Sequence, residues 1–263
     1  MVVYIKTNVR SIFETCNLIL YAKCQTPIAR MKRRLSGSSN PDMADKRLQR
    51  GQATRKAVLS AAADIASAEG LEGLTIGRLS QQVGLSKSGL FAHFGSKREL
   101  QLAVVDFVRE TFLEKVVTPS REIHKGLPRL YAMEMNWIDY VQNSGLHGGC
   151  FFTAAAAEFD GRPGPIRERI AALTRGWRDM LKAEAQKAIE LGHLHNEADP
   201  ALLAFQLHAL PQQANWAYQL LGEQNAFDHA RASTQQLLRH LATPEGLRRT
   251  KERRTLSARA LVR

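Results

Sequence analysis

From Gln52 onward the apolar residues recur at helical rather than strand spacing. Residues 53–69 place Ala57, Val58, Ala61, Ala62, Ile65 and Ala66 along one stripe, and Gly70 supplies a stop. Thr75 caps a short helix through Ile76, Leu79 and Val83. Gly84 makes a turn, Ser86 caps a second short helix, and Ser96 caps a long one that begins at Lys97. Further amphipathic helices follow at 128–141, with Tyr131, Trp137 and Ile138, and at 150–159. The run Gly161-Arg162-Pro163-Gly164-Pro165 is a break. A long helix over 166–191 carries Trp177 and Leu181 and ends at Gly192. Asp199 caps the next, with Pro200 in its first turn, where the missing N–H does no harm. That helix is apolar on several faces (Leu202, Leu203, Phe205, Leu207, Leu210, Trp216, Tyr218, Leu221). A last helix spans 226–241. There is no alternating β-branched run and no Asn-Gly hairpin signal, so the pattern predicts an all-α protein.

Within this pattern, residues 75–94 carry the chemistry. Two short helices meet at a tight turn, and Ile76, Leu79, Val83, Leu85, Leu90 and Phe94 are spaced to bury one side. The start of the second helix is left small and polar, with Ser86, Lys87, Ser88 and Gly89 facing out. Such a surface fits a major groove wide enough to admit one helix. Three capped helix N-termini in succession, at Thr75, Ser86 and Ser96-Lys97, are natural phosphate sites. Thr75, His93 and Lys97 are therefore expected on backbone phosphates. Lys87, Ser88 and Gly89 are expected on base edges, with Lys87 the side chain that reaches a guanine.

Charge sharpens this reading less than its total suggests. The 263 residues carry a formal net charge of +12. An excess of that size points to a polyanion such as nucleic acid or a membrane surface. Residues 101–243, however, hold 14 Lys+Arg against 16 Asp+Glu, while 1–42 and 244–263 each hold 7 against 2. The expected organisation is an extension over 1–42, a helix-turn-helix domain over 50–100, a helical ligand-binding and dimerisation domain over 101–243, and a basic tail over 244–263. The extension contains Arg30-Met31-Lys32-Arg33-Arg34 and the linker-like Ser36-Gly37-Ser38-Ser39-Asn40-Pro41. It reads either as sequence upstream of a true start at Met43, with Met31 the second choice, or as a basic arm that touches DNA.

Three cysteines, Cys16, Cys24 and Cys150, lack CxxC spacing and suit a reducing, cytoplasmic setting. The apolar run at 18–22 is far short of the roughly 20 residues a membrane span needs, so no membrane partner is expected. No nucleophile elbow, phosphate-binding glycine loop or paired-carboxylate motif supports an enzyme, and neither a catalytic residue nor a cofactor is expected. Glu190, His193 and His195 lack a strong metal-ligand spacing and read as a solvated helix end. Cys150, beside two glycines, reads as a buried thiol rather than a redox sensor.

Residues 53–106 closely resemble the N-terminal domain of TetR/AcrR-type bacterial regulators. The likeness lies in Ala57-Val58-Leu59-Ser60-Ala61-Ala62, Gly70, Leu74-Thr75-Ile76 and Val83-Gly84-Leu85-Ser86-Lys87. It continues through Leu90-Phe91-Ala92-His93-Phe94 and Ser96-Lys97-Arg98-Glu99-Leu100, with no gap. The family usually has Tyr at Phe91, where the hydroxyl commonly reaches a phosphate. Phe91 therefore belongs to the DNA-facing set without a polar contact. The resemblance implies an all-helical homodimer: a three-helix DNA-binding head, a C-terminal domain that takes a small-molecule effector, and C-terminal helices that pair in a four-helix bundle. It implies a double-stranded operator as partner and, most simply, repression released by the effector. The candidate lining of the effector pocket is Trp137, Phe151, Phe152, Phe159 and Trp177, each of which taken singly also reads as core. Phe205, His208, Trp216 and Leu220 are the candidate dimer face. A DNA-structuring protein that binds many sites with little sequence preference is the alternative of another class.

Overall fold

A computed structural model describes residues 41–250. The helices are α1 (Pro41–Glu69), α2 (Ile76–Val83), α3 (Lys87–Phe94) and α4 (Lys97–Phe112), followed by a π-helical turn (Leu113–Val117) and α5 (Thr118–Arg121). Then come α6 (Leu127–Gln142), α7 (Phe151–Phe159), α8 (Pro165–Glu190), α9 (Pro200–Leu221) and α10 (Ala226–Leu241). Among the described residues there is no strand, only an isolated bridge between Leu194 and Ala242.

Where a cap was legible, the helix starts where the sequence put it. Thr75 Oγ1 accepts from Arg78 N at 3.1 Å, Ser86 Oγ from Gly89 N at 3.0 Å, and Ser96 Oγ from Glu99 N at 3.2 Å. Asp199 Oδ1 accepts from the N–H of Ala201 and of Leu202. Each cap satisfies a donor that the first helical turn leaves orphaned.

Two segments differ from expectation. The first helix begins at Pro41 rather than 53, so the boundary expected after residue 42 falls inside α1. The segment 44–50 lacks an apolar stripe but is built of strong helix formers, and Pro41 suits a first turn. The helix from Lys97 is not uniform. Thr118 N bonds to Leu113 O across a π turn, one residue before Pro119, which has no N–H to give the ladder. Of the basic tail expected over 244–263, the described part, 244–250, is helical. The readings made for 1–40 and 251–263 lie outside the described residues.

Two apolar clusters organise the protein. The first joins Val58, Ala62, Leu71, Leu74, Leu79, Leu90, Phe94, Leu100 and Val104 to Phe151, Ala155 and Phe159 of α7. The second holds Leu130, Trp137, Ile138, Trp177, Leu181, Leu207 and Phe227. Removing a leucine side chain such as Leu79 or Leu90 from water contributes about 1.5–3 kcal/mol; both have no exposed surface.

The two clusters are tied by α7 and the loop before it. Glu158 accepts from the N–H of Leu71 at 2.7 Å and of Glu72 at 2.9 Å. Ser67 Oγ accepts from Gly148 N, Asp64 from His147 N, and Asn215 Oδ1 on α9 from Cys150 N. Arg169 on α8 bonds Asp106 on α4. One short segment therefore touches α1 of the head on one side and α9 on the other.

Candidate DNA-binding surface and C-terminal core

Leu79, Leu90 and Phe94 are buried, with Ile76, Val83 and Leu85 packed partly buried against them. That apolar side fixes α2 against α3. Gly84 adopts φ +68°, the left-handed conformation that lets the chain leave α2 and enter α3 in a tight turn. The opposite side of α3 is open. Ser86, Lys87, Ser88, Phe91 and His93 are exposed, and Gly89 is half-buried.

The polar residues of this face hold defined positions. Ser86 Oγ, besides capping α3, lies 3.1 Å from Ser88 Oγ. The Lys87 side chain lies back over the start of α2, its Nζ 3.9 Å from where a Gly77 Cβ would stand. It thus sits between two helix N-termini, both favourable to an anion. Lys97 Nζ bonds Glu72 O at 2.6 Å and Glu72 Oε1 at 2.7 Å, and this lysine with Gln101 holds the Glu72 carboxyl below the usual range. Phe91 is 49% exposed, an apolar ring on an otherwise polar surface.

Sequence reasoning missed two residues here. Arg55 of α1 donates to His93 O at 2.9 Å and stacks 4.5 Å above the Phe94 ring, bracing the end of α3. Glu72 holds Lys97 in the DNA-free protein. Both contacts join residues 25 or more positions apart, and no local pattern announces them.

The five aromatics expected to line one pocket fall into two groups. Trp137 and Trp177 meet edge to face at 5.4 Å, and Phe112 of α4 closes on both at 6.3 and 4.9 Å. Tyr140 joins them through Phe112 at 5.7 Å. Phe151 and Phe159 belong instead to the cluster under the head, because α7 turns that face toward α1 and α4. Phe152 packs against both clusters.

Several buried polar atoms of the C-terminal core have no hydrogen-bond partner: both Glu134 carboxyl oxygens, Trp177 Nε1, Thr153 Oγ1 and Thr234 Oγ1. Glu134 has no exposed surface, and burial pushes its carboxyl well above the usual carboxylate range.

Of the residues expected at a dimer face, Phe205, Trp216 and Leu220 are 57%, 48% and 65% exposed. Leu202 on the same face and Leu221 at the helix end are also exposed. His208 is half-buried, its ring 5.3 Å from Trp137, and burial lowers its pKa to about 4. It lines a shallow groove with Arg178, Phe205, Gln212 and Trp216. Among the described residues no group of His, Cys, Asp and Glu is arranged to hold a metal, and no helix is long and apolar enough to cross a membrane.

Comparison with known proteins gives this geometry its context. Residues 58–104 match the bacterial regulatory proteins of the tetR family, and residues 126–234 match the tetracyclin repressor-like C-terminal domain. Together these matches take in more than half of the chain. A TetR transcriptional regulator from Chloroflexus aurantiacus is 28% identical and superposes with a TM-score of 0.64 over 74% of this chain and 98% of that one. AibR, solved with isovaleryl coenzyme A and operator DNA, shares the fold at 20% identity and a TM-score of 0.58, over 72% of this chain and 98% of that chain. Nucleoid occlusion factor SlmA of Haemophilus influenzae is 27% identical over 81 residues, 30% of this chain. The matched part spans only 37% of that relative's length. The helix-turn-helix head, the helical C-terminal domain and both family matches agree: the chain belongs to the TetR family and is a DNA-binding transcriptional regulator, not an enzyme.

Proposed function

We propose that the protein is a cytoplasmic, effector-released repressor that binds a palindromic operator as a homodimer. The observation that carries this reading is the pairing of an open, polar α3 face with a long exposed apolar stripe on α9. Two copies joined along α9 and α10 present two α3 helices to successive major grooves. Half-site centres then lie about one helical turn apart, or a small multiple of it. A small molecule enters the C-terminal core beside Phe112, Trp137 and Trp177. Phe112 ends α4, and Leu100 and Val104 of α4 lie in the head, so a shift at the aromatic cluster passes along one helix to the DNA-binding surface. Coupling of about 1–3 kcal/mol weakens operator binding some 5- to 150-fold. The AibR complex, which holds an acyl coenzyme A and operator DNA on this fold, supports the arrangement.

Genome-wide footprinting followed by anisotropy titration tests the proposal. One or a few palindromic sites, bound by a dimer and released by a small molecule, are the expected result. The match to a nucleoid occlusion factor favours a second reading, a chromosome-organising protein. Many dispersed sites, with no effect of small molecules on their occupancy, would replace the first reading with the second.

A further inference from the structure

Glu134 and Thr234 stand at one level of the C-terminal core. Helices α6 and α10 run antiparallel. Arg231 bonds Asp139 at 2.6 Å, and Gln235 donates to Tyr131 OH at 3.2 Å. Interpolating between these two pairs sets Thr234 opposite Glu134. Both are fully buried, and neither reaches a hydrogen-bond partner. Against α8 the register is fixed by Arg129 with Glu184 at 3.7 Å and Trp137 with Trp177 at 5.4 Å. Glu134 is thus opposite the turn at Met180 and Leu181, about one turn from Trp177, whose indole N–H is also without a partner.

Folded proteins rarely leave buried polar atoms unsatisfied, and a carboxyl with two orphaned oxygens is among the costliest. The neighbouring cations are already engaged: Arg129 with Glu184, and Arg231 with Asp139 and Asp228. Among the described residues none supplies a counter-charge for Glu134. One helical turn along α6, Trp137 begins the aromatic cluster formed edge to face with Phe112, Tyr140 and Trp177. Acceptor oxygens beside aromatic faces suit a positively charged nitrogen.

From this juxtaposition we propose that Glu134 and Thr234, with Trp137 and Trp177, form a site for a small organic cation, an amine or quaternary ammonium, and that this cation class is the effector. The inference rests on the effector-release reading above and names the chemistry of its ligand. Glu134 releases its proton to solvent as the cation enters and so supplies the counter-charge, Thr234 a further oxygen, and the rings the flanking surface. Because Glu134 has no exposed surface, the cation enters as α6 and α10 part, which displaces the cluster that Phe112 joins to α4.

Choline and benzyltrimethylammonium are the probes, with 3,3-dimethylbutan-1-ol as the neutral isostere of choline. Each is titrated into the full-length protein by calorimetry and by tryptophan fluorescence. At least one of the two cations is expected to bind, with the alcohol weaker by about tenfold or more. Glu134→Gln is expected to weaken cation binding by a similar factor while remaining folded by circular dichroism. Failure of both cations to bind, equal binding of the alcohol, or undiminished binding to Glu134→Gln would overturn the proposal. Release of footprinted operator DNA by a neutral or anionic molecule would also overturn it, while leaving the regulator reading in place.

Discussion

Lys97, the side chain proposed for a backbone phosphate, already has a partner in the DNA-free protein. Its ammonium rests on Glu72, a pair exposed on both sides and therefore worth little in stability. Under that proposal a phosphate would take over the ammonium at small cost. Lys97→Ala is expected to lower affinity on every DNA sequence and to reduce the salt slope by about one unit. An unchanged slope in a salt titration counts against the contact. Lys87→Ala is expected to act differently, costing about 1–3 kcal/mol at one base position and relaxing preference there. Equal losses on operator and random DNA would remove Lys87 from base readout. Glu134 gives a pH prediction. Its folded pKa is raised, so the unfolded chain gives up this proton first as pH climbs past the ordinary carboxylate range. Stability from this site is full at acid pH and is lost as pH rises toward the folded value. Glu134→Gln, uncharged throughout, should therefore melt higher than wild type at pH 7 and alike near pH 4. Equal melting at both would show that the carboxyl carries no such penalty. The exposed polar face of α3 was legible in sequence because capping, polarity and apolar spacing are local. Glu134 was not, since a lone glutamate in an amphipathic helix reads as solvated until the neighbouring helices enclose it.

At the scale of elements, helix ends were readable wherever a Ser, Thr or Asp cap or a terminal glycine marked them. The start of α1 and the π turn were not, because helix propensity without periodicity and one proline inside a helix leave no apolar signature. The loop before α7 was opaque for another reason: its role is set by what packs on it. A Cβ on Gly148 would stand 1.8 Å from Ser67 O, far inside contact distance and against backbone that cannot swing away. Gly148→Ala must push the loop off α1, stretching the bonds from Gly148 to Ser67 and from His147 to Asp64. A loss of about 1–3 kcal/mol is expected from overpacking, read as a lower denaturant midpoint. Gly161→Ala is the control, since its Cβ meets nothing within 4 Å and should leave the midpoint nearly unchanged. Equal midpoints for the two variants would mean that the loop is not held against α1. Gly148→Ala should also alter operator affinity, because the same segment bonds α9 through Cys150 and Asn215.

For the whole molecule, the decisive surface is the one a single chain leaves bare. Leu202, Phe205, Trp216 and Leu220 fall three, eleven and four residues apart, spacings near whole numbers of helical turns that keep them within about 60° of one another on one face of α9. Their exposure is 48% or more, although most large apolar side chains of the described chain are covered. A contiguous stripe of this kind marks an interaction surface. The groove beside it adds Arg178, 5.5 Å above the Phe205 ring, and His208, whose lowered pKa keeps it uncharged at neutral pH. Self-association along this face, as proposed, would bury the stripe without bringing an unpaired histidine charge into the interface. Leu220 is the most exposed of the set, so Leu220→Glu should leave the monomer fold intact. In a dimer the same carboxylate would be trapped among apolar side chains, at a cost of several kcal/mol. The variant is therefore expected to sediment as a monomer at micromolar concentration with a native circular dichroism spectrum. It should bind an isolated half-site as wild type does and lose the added affinity of the full palindrome. A variant that stays dimeric would move the interface elsewhere on the molecule. One that turns monomeric yet keeps full palindrome affinity would separate dimerisation from operator recognition.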